Sequence, residues 1–374
     1  MDDSLIAGPG VSPERASLLP GEGFFLPDDI RERREREAAT EKLAGVDTAV
    51  IADPDADGLG AVALLRELVD PGAALIEAGP HEITTGLEYV SEHAPEGVDV
   101  FVCDLCPDAV SWLEQPLAEL LDHADAVRWY DHHQWDDGVA KAVREMGVEL
   151  VVGDSEAECT TDVVARSLDA EVPSYLRDLA AATRDHDLWL REDARSDDLA
   201  DYAYWSDAEQ YVDTVREHGA DLPDDVLTRL ADKRETKEDR IDRAVRRAEY
   251  REVRGYTVGL TYGRCSQNEV AEAMREAGAD AGVVVKPSGS ASIRGTETFE
   301  RCHLVAGRVN GGGHPKAAGC KPDVYDDMLD YAAHWTSQGE TAKRVILAAF
   351  EDVIEGTEDE PGEADPVTAD VGEE

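Results

Sequence analysis

The chain has 374 residues and a formal net charge of -47 at pH 7, because 83 acidic residues face only 36 basic ones. This length is sufficient for two domains with substantial cores. A protein with this charge has little non-specific attraction for nucleic acid, so a polyanionic substrate would have to be held by metal, a local Arg patch or backbone amides. Only eight of the basic residues are Lys, and we interpret the acidity as adaptation to a salty cytoplasm such as that of a haloarchaeon, where salt screens self-repulsion.

The sequence also bears on location. It contains no apolar stretch of the ~18 residues that a membrane span requires, and its N-terminus lacks the basic start of a signal peptide. Among six cysteines, only Cys103 and Cys106 form a C-x-x-C pair. Since no second pair completes a zinc site, we expect the cysteines to be small buried residues of a reducing compartment. These features predict a cytoplasmic protein without a membrane partner.

The N-terminal half has the pattern of an α/β domain with a parallel sheet. Residues 1–45 are predicted to form an arm, with a charged helix from Asp28 to Glu41. After the arm, short apolar runs alternate with helical stretches at a spacing of about 25 residues, which suits right-handed βαβ units. Residues 160–215 are predicted to be mostly helical. The expected strands centre near Val50, Leu75, Val100, Val127 and Val151.

The C-terminal half predicts a smaller α/β domain joined by a long helical linker. The linker is assigned to residues 221–254, with a charged helix over 222–254, and the second domain to 255–354. An acidic tail, 355–374, is expected to be disordered. The elements predicted for the second domain are strand Tyr256–Thr261, helix Ser266–Ala277, strands Ala281–Lys286 and Ser290–Arg294, helix Phe299–Val309, a Gly loop, and a closing helix Tyr325–Ile354.

Four acidic and histidine clusters occur along the first domain. They are Asp53-Pro54-Asp55-Ala56-Asp57-Gly58, Cys103-Asp104, Asp131-His132-His133 and Asp185-His186-Asp187. The first three each follow an apolar run, and the carboxyl ends of parallel strands meet at one edge of a sheet. Because crowded carboxylates stay ionised only beside positive charge, the sequence predicts a metal site there.

The clusters differ in what they indicate. Asp104 alone is equally compatible with a cap on the following helix. Adjacent residues on a strand point to opposite sides, so we expect His132 to bind metal and His133 to reach a substrate phosphate. Mixed nitrogen and oxygen ligands suit Mn²⁺ or Fe²⁺ better than Ca²⁺. Asp185 is predicted to complete the site, and Asp187 is the competing choice.

The order of these motifs resembles the Asp-His-His (DHH) phosphoesterase superfamily, which includes RecJ-type exonucleases, oligoribonucleases and cyclic-dinucleotide phosphodiesterases. In the C-terminal half, Ser292-Ile293-Arg294 and the segment 310–319, Asn-Gly-Gly-Gly-His-Pro-Lys-Ala-Ala-Gly, look like the substrate-binding domain that accompanies it. The resemblance makes 46–220 a DHH catalytic domain. One departure is that Ile51 stands where many members carry a His, so the first metal would depend on Asp53 or bind more weakly.

The resemblance implies two divalent ions, preferably Mn²⁺, with Mg²⁺ or another ion as an alternative. Asp104 would bridge the two ions and act with His133 as the catalytic pair. Asp53 and Asp55 would hold one ion, and Asp57, His132 and Asp185 the other. The residues expected to bind substrate phosphate are His133, Arg294, Gly312, Gly313, His314 and Lys316, with the site in the cleft between the domains.

The implied activity is hydrolysis of single-stranded or short oligonucleotides to mononucleotides. No segment is long enough for an added OB-fold, and the chain has 22 aromatic residues, so short substrates are favoured. The basic residues of 233–254 offer a path for a longer strand. The alternatives are a cyclic-dinucleotide or mononucleotide phosphoesterase, and a non-catalytic scaffold that binds replication or repair proteins; retention of the motif carboxylates disfavours the scaffold.

Overall fold

The computed structural model describes residues 28–325 and 328–358. The chain divides into two compact units, and the boundary lies between Asp232 and Lys233. It falls inside the long charged helix, so the segment predicted as a linker contributes residues to both units. The beginning of the predicted arm and the end of the predicted tail, residues 1–27 and 359–374, lie outside the described residues.

The first unit contains a five-stranded sheet in the order β2-β1-β3-β4-β5, with every neighbouring pair parallel. This confirms the predicted parallel α/β architecture. The strands are β1 (Thr48–Ala52), β2 (Ala74–Glu77), β3 (Asp99–Cys103), β4 (Ala126–Asp131) and β5 (Glu149–Val152). The helices are α1 (Asp28–Leu43), α2 (Ala56–Leu68), α3 (Ile83–His93), α4 (Glu114–His123), α5 (Asp137–Met146), α6 (Thr160–Ser167), α7 (Ser174–Asp187), α8 (Ser196–Trp205) and α9 (Ala208–His218).

Helices cover both faces of this sheet, which explains why its strands are apolar throughout. All five residues of β1 are buried. Val50 and Ala52 face a core formed with α2 and the helices α6 to α9. Ala49 and Ile51 face a second core, formed with α1, α3, α4 and α5. The helical segment predicted over 160–215 is therefore the layer that packs on α2.

The second unit contains a mixed six-stranded sheet in the order β10-β11-β9-β8-β7-β6, in which β7 and β8 form the parallel pair. Its strands are β6 (Glu249–Val253), β7 (Tyr256–Tyr262), β8 (Ala281–Val285), β9 (Ala291–Gly295), β10 (Gly311–Gly313) and β11 (Ala317–Cys320). Its helices are α11 (Gln267–Glu276), α12 (Cys302–Gly307), α13 (Met328–Thr336) and α14 (Glu340–Glu358), while α10 (Asp224–Arg246) crosses the boundary between the units.

Three local predictions in this half were wrong. The charged helix ends at Arg246 and is followed by β6, an edge strand that is mostly exposed and therefore carries no apolar periodicity. The Gly loop is the β10–β11 hairpin, and three glycines give no strand signal because glycine is depleted in strands. The closing helix is interrupted where Gln338 and Gly339 adopt φ values of 54° and 73°.

The helix of the predicted arm belongs to the core of the first unit, where Ala39 and Leu43 of α1 are buried. At the other end, α14 continues to Glu358, four residues beyond the predicted domain end. Among the helices of the described residues, none combines the length and apolar character of a membrane span.

Candidate metal centre

The acidic and histidine clusters meet at the carboxyl edge of the five-stranded sheet. Asp55 is the N-cap of α2 and accepts hydrogen bonds from the amides of Asp57 and Gly58. Gly58 is required there because a Cβ would lie 2.2 Å from the carbonyl oxygen of Asp53. Asp104 follows β3 directly and has a φ of 61°. That conformation is uncommon for a residue other than glycine and is found at functional sites.

His132 lies at the centre of this group. Its Nε2 atom is 3.8 Å from Asp57 Oδ2 and 3.8 Å from Asp104 Oδ1. The same atom is 3.2 Å from Asp187 Oδ2. Two ligands of one divalent ion, each with a bond of about 2.1 Å, lie at most about 4.2 Å apart. Each of these pairs is therefore close enough to share an ion.

Two groups of potential ligands share the His132 side chain. In each group, one ligand atom per residue lies within 4.8 Å of the others. The groups are Asp57, His132 and Asp187, and Asp104, His132 and His133. Both combine carboxylate oxygen with imidazole nitrogen, a ligand set typical of Mn²⁺, Fe²⁺ and Zn²⁺.

The hydrogen bonding of His132 fits a metal ligand. Both of its ring nitrogens are buried, and neither has a hydrogen-bond partner among the described residues. Asp187 Oδ2 is also buried and has no hydrogen-bond partner there. Unpaired buried polar atoms are costly in a folded protein. A divalent cation bound by these atoms would satisfy them, so the residues present fit a metal site.

The carboxylates of the site disfavour one another's charge. Burial and the charges of Asp57 and Asp55 raise the pKa of Asp104 well above its usual value. Burial and the charge of Asp57 raise the pKa of Asp187 to about 6. Burial and the charge of Asp55 raise the pKa of Asp53 to about 7. A cation among them would stabilise the ionised forms.

These pKa values predict that Mn²⁺ affinity rises with pH. A carboxylate binds metal only when it is ionised, and below about pH 6 Asp187 is mainly protonated, as Asp53 is below about pH 7. Protons therefore compete with the metal in acid and are released when it binds. Calorimetric titrations with Mn²⁺ below pH 6 and above pH 7 measure the change in affinity. Repeating them in buffers of different ionisation enthalpy measures the number of protons released. Affinity that is independent of pH would contradict the expectation.

Two threonines at the start of α6 orient two of the candidate ligands, and neither was predicted from the sequence. The amides of Thr160 and Thr161 donate to the Asp57 carboxylate at 2.6 and 2.8 Å. The Thr161 hydroxyl donates to Asp57 Oδ1 at 2.8 Å, and the Thr160 hydroxyl donates to Asp104 Oδ1 at 2.9 Å. One helix N-terminus thus orients two carboxylates, one in the first turn of α2 and one directly after β3. The Cys-Thr-Thr-Asp segment after β5 was the available signal, as a helix-capping pattern.

Gly60 of α2 permits this arrangement. A Cβ at position 60 would lie 2.6 Å from the Thr161 hydroxyl oxygen. We expect Gly60→Ala to lower the free energy of unfolding by about 1–3 kcal/mol, because the buried Thr161 has to shift. The matched control is Gly356→Ala in α14, where nothing lies within 4 Å of the added Cβ and a gain of up to about 1 kcal/mol is expected. Urea denaturation measures the free energy of unfolding of both variants. An equal change in the two variants would contradict the role of Gly60.

Asp131, the first residue of Asp131-His132-His133, positions the two histidines. Its buried carboxylate accepts hydrogen bonds from the His132 amide and from the Trp135 indole. It lies 2.7 Å from His133 Nδ1, and this hydrogen bond raises the pKa of His133. The His133 side chain remains half exposed. The imidazole is therefore fixed on one side and accessible on the other.

The two aspartates at the end of α7 have different surroundings. Asp187 lies in the metal group, whereas Asp185 is in neither group. Asp185 Oδ1 instead accepts a hydrogen bond from the Glu192 amide nitrogen, at a distance of 2.7 Å. Although Asp185 is buried, hydrogen bonds from Ser196, Glu192 and Asp193 lower the pKa of its carboxyl. The geometry favours the competing choice, Asp187, over Asp185.

The residues predicted to bind phosphate all lie in the second unit, apart from His133. Arg294 of β9 pairs with Ala317 of β11, and its Nε donates to Asn268. Gly312 and Gly313 are exposed on β10, and His314 is exposed in the hairpin turn. Lys316 forms ion pairs with Glu297 and Glu300. The hairpin thus brings this group together on one sheet, and its role in phosphate binding remains a prediction.

No family model and no curated protein sequence matches the chain. Among solved structures, the crystal structure of exonuclease RecJ bound to manganese matches 87% of this chain and 96% of its own, with a TM-score of 0.51 and 19% sequence identity. The chain has the fold of this RecJ exonuclease. At that identity the likeness establishes the fold and nothing further.

Two other solved structures are similar over much of the chain. The DHH domain of a protein described as a member of a ribosomal protein family is 14% identical, with 87% of this chain and 90% of that chain covered and a TM-score of 0.48. RecJ from Thermus thermophilus in complex with Mn²⁺ is 18% identical, with 83% and 54% covered and a TM-score of 0.46.

Proposed function

We propose that this chain is a metal-dependent phosphodiesterase of the DHH type that hydrolyses single-stranded or short oligonucleotides to mononucleotides. The observation that carries the proposal is the convergence of Asp57, Asp104 and Asp187 on His132. Both ring nitrogens of His132 are buried and have no hydrogen-bond partner among the described residues. The RecJ fold supports the same activity, since the neighbour with that fold is an exonuclease bound to manganese.

The geometry supports Asp57, Asp104, His132 and Asp187 as metal-binding residues, whereas Asp53 and Asp55 are taken from the motif order. Asp57, His132 and Asp187 would hold one ion. Asp104, together with Asp53 and Asp55 from the loop between β1 and α2, would help to hold a second ion. Bound divalent ions supply an activated water and stabilise the attacking and leaving oxygens of an in-line displacement. We favour Mn²⁺ because the ligand set mixes nitrogen and oxygen.

His133 is suited to contact the phosphate that is cleaved. Its Nδ1 hydrogen points at the Asp131 carboxylate, so the other ring nitrogen is the one available to substrate. The hydrogen bond to Asp131 raises the pKa of His133, and in the doubly protonated ring Nε2 would donate to a phosphoryl oxygen. Asp131 therefore holds both the tautomer and the orientation of the imidazole, as carboxylates do for catalytic histidines.

Arg294, His314, Lys316 and the backbone amides of Gly312 and Gly313 would bind the phosphates of the substrate. Arg294 and Lys316 are cationic, and His314 becomes cationic when it is protonated. Backbone amides of a glycine-rich hairpin can donate hydrogen bonds to an anion. In a chain with a net charge of -47, such a local group supplies the attraction for phosphate that the overall charge does not.

The proposal is tested by hydrolysis assays in molar KCl with Mn²⁺. The substrates are a labelled five-nucleotide single strand, a long single strand and a cyclic dinucleotide. The wild type is compared with Asp104→Ala and with Asp122→Asn, which alters an exposed acid of α4. We expect cleavage of the five-nucleotide strand by the wild type and the control, but not by Asp104→Ala. Cleavage of the cyclic dinucleotide alone would assign the alternative phosphoesterase activity. No cleavage of any substrate would favour the scaffold.

A further inference from the structure

An exposed tryptophan follows the metal-binding end of α7. Trp189 lies two residues after Asp187, and 71% of its surface is exposed. Two residues span at most about 7 Å of chain, so Trp189 is held close to the carboxylate that approaches His132. Large aromatic side chains are usually largely buried. An exposed one beside a candidate active site therefore requires an explanation.

A histidine and an arginine contact this indole. The His186 ring is stacked with it at a centroid distance of 6.2 Å and an interplanar angle of 26°. The Arg191 guanidinium carbon is 5.3 Å from the ring centroid. His186 is held in turn by Asp197, at 3.1 Å. Within the described part of the chain, Arg191 forms no ion pair with a carboxylate, so its charge is available to a ligand.

The backbone of this loop is strained and firmly held. Trp189 has a φ of 56° and Arg191 has a φ of 58°, values that are costly for bulky residues. The Trp189 amide donates to the His186 carbonyl at 3.0 Å. Asp185 holds the rest of the loop through two hydrogen bonds. Its backbone carbonyl accepts one from the Leu190 amide, and its carboxylate accepts one from the Glu192 amide. Strain of this kind persists where the surrounding structure and the function require it.

We propose that Trp189 is a stacking platform for a nucleobase next to the scissile phosphate, an inference that rests on the proposed function. Every nucleobase presents a π-face, and stacking on an aromatic residue is tolerant of sequence. Stacking also persists in high salt, where charge-based binding weakens. This matters for a chain whose net charge of -47 repels the substrate. Arg191 then lies where it can contact a phosphate that flanks the stacked base.

The test compares a five-nucleotide strand with a five-unit abasic strand that has the same backbone. For Trp189→Ala we expect KM on the normal strand to rise about tenfold, the range of one lost base–aromatic stack, with little change in kcat. On the abasic strand, KM is expected to be unchanged. Trp189→Tyr should recover most of the affinity. The control is Tyr204→Ala, which removes an aromatic residue that is 82% exposed in the same unit.

The outcomes separate this inference from the proposed function. Equal KM values for wild type and Trp189→Ala on the normal strand would overturn the stacking role, and so would equal losses on both strands, which indicate a general change in the loop. If the wild type cleaves neither strand, the proposed function fails. Stacking is then measured by fluorescence anisotropy of the labelled normal strand, and equal affinities for wild type and Trp189→Ala overturn it.

Discussion

Asp104→Asn is expected to lower kcat for Mn²⁺-dependent hydrolysis by roughly 10³-fold or more and to make the metal-free protein more stable. The substitution removes the negative charge of Asp104, which burial and the nearby charges of Asp57 and Asp55 make unfavourable. Asn tolerates the left-handed conformation at this position, and its side-chain oxygen keeps the hydrogen bond from Thr160. We expect a gain in the free energy of unfolding on the order of 1 kcal/mol.

Urea denaturation in EDTA and hydrolysis in Mn²⁺ measure the two effects on the same preparation. Asp122→Asn is the matched control, because this aspartate is exposed on α4, and it should change neither quantity appreciably. If Asp104→Asn loses stability as well as activity, the carboxylate has a structural role that the account does not include. If it retains activity, Asp104 does not bind the metal.

Asp187→Asn and Asp185→Ala are expected to have opposite profiles. Removal of the Asp187 charge takes a candidate ligand from the group around His132. Mn²⁺ affinity should therefore fall by at least about 10–100-fold, with stability in EDTA unchanged or higher. Asp185→Ala leaves the Glu192 amide without its acceptor. That variant should lose about 2 kcal/mol of stability and retain most of its metal affinity.

Calorimetry with Mn²⁺ and thermal denaturation in EDTA distinguish the two aspartates. If metal affinity is lost in Asp185→Ala and kept in Asp187→Asn, Asp185 is the metal ligand, as was predicted from the sequence. A loss in both variants would mean that the loop fixed by Asp185 also positions Asp187.

The parallel sheet and the convergence of the clusters were predictable because they follow from simple patterns. Short apolar runs buried on both faces identify parallel strands, and an acidic residue that ends such a strand lies at the ligand-binding edge. Asp57, Asp104 and His132 were predicted in this way to lie close together, and in the structure His132 Nε2 lies 3.8 Å from a carboxylate oxygen of each aspartate. Asp104 and His132 come directly after β3 and β4, and Asp57 lies in the first turn of the helix that follows β1, so their positions follow from where these strands end.

The choice between Asp185 and Asp187 depends on how α7 is rotated about its axis, and the sequence does not record that rotation. Residues two apart on a helix point in nearly opposite directions, so only one of the pair can face His132. Thr160 and Thr161 were missed for a related reason, because a threonine that starts a helix looks the same whether or not its hydroxyl orients a ligand.

Elements without a hydrophobic pattern were also beyond the sequence analysis. The β6 strand is charged and exposed at the sheet edge, and β10 consists of three glycines. Trp189 was included in the count of aromatic residues, but its exposure and the strained loop that presents it became visible only in the structure.

Anomalous diffraction from crystals grown with Mn²⁺ would locate the metal ions in the first unit. We predict strong peaks at the manganese edge within bonding distance of Asp57, His132 and Asp187, with Asp104 bound to a peak as well, and loss of these peaks in His132→Ala. Crystals of the wild type without a peak at this edge of the sheet, or with manganese bound only elsewhere, would contradict the account.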